Sequence, residues 1–166
     1  MRNGRDSDIW VKTGDAAPRV VLQEGGTWFA TDFSPDGRRL FVTRAVSINE
    51  SYPGELDLPT GKLTMFPVDG GKAAVGAFRY APDGKGAYYT SDEGTEFRTL
   101  RYHAPGLDAP LDISSDIPWD VTAFDIAEDG RHLVFATNED GIGKLHLRTI
   151  PDHRAVELPA LPVGLV

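Results

Sequence analysis

The feature that most constrains this chain is a short phrase written three times. Phe33-Ser34-Pro35-Asp36-Gly37-Arg38, Tyr80-Ala81-Pro82-Asp83-Gly84-Lys85 and Ile126-Ala127-Glu128-Asp129-Gly130-Arg131 share one pattern. An apolar residue leads to a small residue, then an Asp-Gly pair, then a basic residue. The aspartates stand at 36, 83 and 129, so the period is 47 and then 46 residues. Apolar runs precede each phrase at 31–33, 77–80 and 123–126, and follow it at 39–43, 86–90 and 132–137. Asp-Gly between two such runs predicts a hairpin. Glycine takes a positive φ without steric cost, and aspartate bonds its own nearby backbone. Asp36, Gly37, Asp83, Gly84, Asp129 and Gly130 are therefore read as structural turn residues.

The second half of each unit repeats as well. A run at 55–58 leads through Pro59-Thr60-Gly61-Lys62 to 63–66. A run at 100–102 leads through 103–108 to 109–113, and one at 144–147 through 150–154 to 155–158. Each unit thus holds four short strands in about 46 residues. No window sustains a 3.6-residue period, so helix should be nearly absent. The expected class is all-β. Four antiparallel strands per repeat with one Asp-Gly turn read as a β-propeller blade. The competing reading, a β-sandwich, needs three in-register copies by coincidence.

The count is half a blade followed by three blades. The expected organisation is one partial propeller over 1–166. Residues 1–28 supply the outer strands of a blade, 29–68, 69–113 and 114–158 are blades, and 159–166 connect to a further blade. A closed propeller uses about 4–8 blades, so about three and a half blades are expected to be a fragment. The remaining blades of the same propeller are then its first partner.

Composition narrows the function. Seventeen Lys and Arg against 25 Asp and Glu give a net charge of −8. Phosphate backbones repel such a surface, so nucleic acid is not an expected partner. No apolar run reaches the roughly 18–20 residues of a membrane helix, and no membrane partner is expected. There are no cysteines, which excludes disulfides and thiolate chemistry. That fits a cytoplasmic or a periplasmic setting equally. Residues 1–8 are polar and show no signal-peptide pattern.

Longer stretches carry a resemblance. Val46-Ser47-Ile48-Asn49-Glu50-Ser51-Tyr52, Tyr88-Tyr89-Thr90-Ser91-Asp92-Glu93-Gly94 and Asp116-Ile117-Pro118-Trp119-Asp120-Val121 are similar to the N-terminal propeller of bacterial S9 (prolyl oligopeptidase family) serine peptidases. Thr137-Asn138-Glu139-Asp140-Gly141 adds to this. The Ser34-Pro35-Asp36-Gly37 turn itself resembles the WD40-like repeat of TolB-type and peptidase propellers. The S9 resemblance implies a propeller that gates and orients oligopeptides for an α/β-hydrolase domain. That domain, with its Ser-Asp-His triad, is missing here. The TolB resemblance implies instead a protein-binding scaffold without enzymatic activity.

The chain offers no chemistry of its own. None of its seven serines has glycine two residues away on both sides, so there is no nucleophile elbow. His103, His132, His146 and His153 fit neither a zinc nor a general-base spacing. Asn138-Glu139-Asp140-Gly141 resembles the start of a calcium loop, but Leu147 stands where the bidentate Glu is needed. Gly70-Gly71 lacks the strand–turn–helix setting of a phosphate loop. No catalytic residue, metal or cofactor is expected. The aromatics Phe33, Phe41, Phe78, Tyr80, Tyr88, Phe124 and Phe135 are read as packing between blades.

One feature points to binding. The link between the second and third strands is acidic in each repeat and contains Glu50, Glu93 and Glu139. Equivalent loops emerge on one face of a propeller, beside crossovers that carry Trp28 and Trp119. Carboxylates beside an aromatic ring suit a cationic peptide. Glu50, Glu93, Glu139 and Trp119 are the expected substrate-binding residues.

Overall fold

Each Asp-Gly phrase closes a hairpin of the same form. The Gly37, Gly84 and Gly130 N–H groups donate to the carbonyls of Ser34, Ala81 and Ala127, each at 2.8 Å. The three glycines have φ of +68°, +68° and +67°. Each aspartate Oδ1 accepts from the backbone two residues on: Arg38 at 3.1 Å, Lys85 at 2.9 Å and Arg131 at 2.9 Å.

The computed structural model describes residues 3–68, 72–76 and 78–159. The expected connector at 159–166, apart from Pro159, and the Gly70-Gly71 pair lie outside them. Among the described residues there is no helix. Strands β1 (Ile9–Val11) and β2 (Arg19–Leu22) pair as a two-stranded sheet. Strands β3 (Thr27–Phe33), β4 (Arg39–Ser47), β5 (Glu50–Asp57) and β6 (Leu63–Met65) form a four-stranded sheet in chain order. So do β7 (Phe78–Tyr80), β8 (Ala87–Ser91), β9 (Thr99–His103) and β10 (Leu111–Asp112). The last sheet holds β11 (Val121–Ile126), β12 (His132–Glu139), β13 (Ile142–Thr149) and β14 (Ala155–Val156). Every pairing is antiparallel. The chain is an all-β propeller fragment of about three and a half blades.

The second strand of a blade is buried on both faces, which is why it reads as a continuous apolar run. In β4, Leu40 and Val42 join Ile9, Leu22, Trp28 and Leu56 in a core against the first sheet. The intervening Phe41 joins Phe78, Tyr80 and Ala87 in a core against the next. A third core sets Tyr88 and Leu100 against Val121, Leu133 and Phe135. Each of the two middle sheets therefore has two interfaces, and the three cores are stacked between successive sheets.

The hairpin turns also pack on one another. A Cβ built on Gly84 would lie 3.4 Å from Pro35 Cδ, and one on Gly130 only 2.8 Å from Pro82 Cβ. Glycine is needed at both for its φ, and at Gly130 for the room as well. Arg39 adds a cross-blade bond, Nη2 to the Gly84 carbonyl at 3.1 Å.

Four placements differ from expectation. Phe33 is not a packing residue, since it is 48% exposed on the inner strand β3. Trp28, expected in a crossover, is a buried residue of β3. Glu139 and Glu50 do not sit in a link either: Glu139 is the last residue of β12, in register with Ile142. The β4–β5 hairpin is longer than its counterparts, and Glu50 opens β5 in register with Ser47.

Candidate functional site

Glu93 and Glu139 occupy equivalent places, each ten residues past the turn aspartate of its repeat (83 to 93 and 129 to 139). The residue in that place in the first full blade is Val46, not Glu50. Only two of the three carboxylates are therefore repeats of one another.

Both of those acids meet a cation across the hairpin. Glu93 Oε2 lies 3.6 Å from Arg101 Nη1, and the arginine side chain is only 11% exposed. Arg101 also donates to the Glu93 carbonyl. Register places Arg101 opposite Tyr89 and His146 opposite Phe135, so His146 is the counterpart of Arg101. Its Nε2 is also 3.6 Å from Glu139 Oε1, and its ring stacks on Phe135 with centroids 4.8 Å apart. Thr137 donates to the same Glu139 oxygen at 3.1 Å, and Lys144 holds the other. The Lys144 hydrogen bond, with help from Thr137, keeps the Glu139 carboxyl below its usual range. Burial pushes His146 below the ordinary histidine value, against the pull of Glu139.

Glu50 is held differently. Tyr52 donates its hydroxyl to Oε1 at 2.7 Å, and Lys72 from the following crossover reaches Oε2 at 3.2 Å. These two contacts, the tyrosine first, lower the Glu50 pKa. Trp119 is half-buried in the connection between β10 and β11. Its neighbour Asp120 accepts from the Arg98 N–H at 2.7 Å, which ties this crossover to the β8–β9 hairpin that carries Glu93. Among the described residues no hydrogen bond, ion pair or ring stack joins Trp119 to Glu50, Glu93 or Glu139. The acids are thus individually paired, and the arrangement presents salt-bridged hairpin ends instead of a cluster of free carboxylates.

Sequence reasoning missed a cleft of about 490 Å³ between the β3–β6 and β7–β10 sheets. Phe41, Phe66, Phe78, Tyr80 and Tyr89 line it together with Glu55. Phe41 stacks on Tyr80 at a centroid distance of 3.8 Å, and Phe78 on Tyr89 at 4.7 Å. Tyr80 donates its hydroxyl to Glu55 Oε2 at 2.7 Å, and Arg39 Nη1 reaches the same oxygen at 3.2 Å. Burial and that carboxylate raise the Tyr80 pKa far above its ordinary value. The aromatics were visible in the sequence, but nothing in their spacing separates packing from cavity lining. A second cavity, of about 610 Å³, lies beside Trp28, Tyr52 and Met65. Among the described residues no group of three or more Asp, Glu or His is placed to hold a metal ion.

These sheets and turns define a β-propeller arc. Solved structures it is similar to include propeller-containing proteins of two kinds. TolB from Acinetobacter baumannii matches with a TM-score of 0.66 and 20% identity over 84% of this chain and 34% of that one. A structure from work on two prolyl endopeptidases matches with a TM-score of 0.66 and 21% identity over 92% of this chain and 23% of that one. A puromycin-hydrolyzing peptidase of Mycobacterium tuberculosis matches with a TM-score of 0.68 and 16% identity over 88% and 24%. The chain spans about a quarter to a third of the length of these structures. At such identities the likeness is one of fold. No family model and no curated protein matches the chain.

Proposed function

We propose that this chain is the non-catalytic propeller part of an S9-type serine peptidase, where it gates and orients oligopeptides for an α/β-hydrolase domain. The observation that carries the reading is the likeness to the prolyl endopeptidase structure over 92% of the chain. The S9-like stretches at Val46–Tyr52, Tyr88–Gly94 and Asp116–Val121 add to it. In this reading the Glu50 and Glu139 ends contact the peptide, with Trp119 offering an apolar face nearby. Their partners Lys72 and Lys144 are 74% and 53% exposed. A cationic peptide group can therefore exchange with these lysines. Glu93 is held by a nearly buried arginine, so its part is to stiffen the hairpin.

The second reading is a TolB-like scaffold that binds proteins and has no activity. The TolB match, with the same TM-score of 0.66, supports it equally. The deciding experiment reads the coding sequence beyond Val166 and assays its product on proline-containing peptides, with the 166-residue chain as control. Further blades, a G-x-S-x-G elbow and inhibitor-sensitive hydrolysis by the longer product favour the peptidase. Closure of the ring followed by a stop codon, with no hydrolysis, favours the scaffold.

A further inference from the structure

The two junctions between full blades differ at one place. In the last sheets, His153 leaves the β13–β14 turn and lies over Tyr88 and Tyr102 of the preceding blade, with ring centroids 5.6 and 5.3 Å away. Tyr88 and Tyr102 face each other in register across β8 and β9. Their counterparts one blade earlier are Phe41 and Glu55, which face each other across β4 and β5. The turn that should cover this pair is the β9–β10 connection. It brings Ala104, Pro105, Asp108 and Pro110 to the cleft, with His103 at the end of β9 beside them, and among the described residues none of these places a ring against Phe41. The cleft of about 490 Å³ lies where the neighbouring junction seats an imidazole.

From this repeat equivalence we infer that the cleft binds a small organic cation: an aromatic ring carrying one protonated nitrogen. The volume is in the range that takes small ligands. The ring takes the position that His153 holds one junction later, against Phe41. The charge preference follows from the exchange of a phenol, Tyr102, for a carboxylate, Glu55. Both of the hydrogen bonds to Glu55 among the described residues fall on Oε2, which leaves Oε1 to accept from a ligand N–H. Two further carboxylates line the cleft: Glu93, which Arg101 already holds, and Asp108 on the same β9–β10 connection. Of the basic lining residues, Arg39 is already engaged by Glu55 and the Gly84 carbonyl, and Lys85 and His103 are exposed, so the half-buried Glu55 is the charged group a ligand meets inside the cleft. A protonated amine beside the Phe41–Tyr80 stack also gains from the ring quadrupoles. This site lies between sheets and does not depend on a peptidase partner.

The test is an amide NMR titration of the 166-residue chain with 2-phenylethylamine, 2-phenylethanol and 3-phenylpropanoate. The inference expects saturable shifts at Ala87, Tyr89 and Ala104. The amine should bind roughly five- to ten-fold tighter than the alcohol, and the carboxylate weakest. Glu55→Gln should bring the amine down to the alcohol's affinity. Asp108→Asn, a change in an exposed loop, should lower the amine affinity alone and keeps the test decisive if Glu55→Gln disturbs the blade junction. Ala104→Trp should fill the cleft and abolish all binding. Equal binding of amine and carboxylate, shifts that survive Ala104→Trp, or no saturable site would each overturn the inference.

Discussion

The Tyr88 hydroxyl and His153 Nε2 lie 2.9 Å apart across the junction of the last two sheets. Asp83 acts on both Tyr88 and Tyr102, and Asp152 and Arg154 flank His153 in its own turn. Burial pushes the imidazole below its ordinary pKa, with Asp152 pulling the other way. His146 is shifted in the same direction, again by burial first. The unfolded chain therefore takes up protons near pH 6.5 that the folded chain resists. Stability is complete above that pH and falls as pH drops through it, levelling once the folded histidines are protonated. The lowered carboxyls of Asp36, Glu50 and Glu139 act in the same sense, but in a more acid window. Thermal melts should show a lower Tm at pH 5 than at pH 7.5. A His146→Gln, His153→Gln double variant should flatten that difference and cost about 1 kcal/mol per lost hydrogen bond at pH 7.5.

The glycines of the turns separate two effects. Gly37 and Gly130 share a left-handed φ, but only Gly130 abuts a proline of the preceding turn. Gly37→Ala should cost about 1–2 kcal/mol in urea unfolding, the conformational cost alone. Gly130→Ala should cost clearly more, because Pro82 must also move. Equal losses would show that the stacked turns contribute nothing.

Arg148 is a buried cation with one carboxylate. Its side chain is 10% exposed, Nη2 donates to both Asp116 oxygens at 2.8 and 2.9 Å, and it lies over the Phe135 ring. Its Nε is buried without a partner among the described residues. Asp116→Ala strands the guanidinium and should cost roughly 1–3 kcal/mol. Arg148→Met removes both charges' dependence on each other and still packs on Phe135, so it should cost less. Denaturant midpoints of the two variants test the order.

The peptide reading makes a kinetic prediction for the full-length protein. At low salt, Glu50→Gln and Glu139→Gln should each lower kcat/KM for cationic peptides by about two- to five-fold and leave blocked neutral peptides unchanged. Glu93→Gln should change stability more than kcat/KM, since its cation is nearly buried. A uniform loss for both peptide classes would make all three residues structural.

The blade pattern was legible in the sequence because it rests on local chemistry. An Asp-Gly pair sets its own turn, and runs such as Leu40-Phe41-Val42 are apolar on both faces because a sheet between two others is covered twice. Those signals are short-range and repeat every 46 or 47 residues. The partners of the acids were not legible. Arg101 and His146 find Glu93 and Glu139 through strand register, while Lys72 reaches Glu50 from the next crossover, and no local pattern encodes either. The difference between a junction filled by His153 and one left open beside Glu55 was decided only by the stacking of sheets. Equivalent turns bring side chains of different size to the same place, and that comparison exists only in three dimensions.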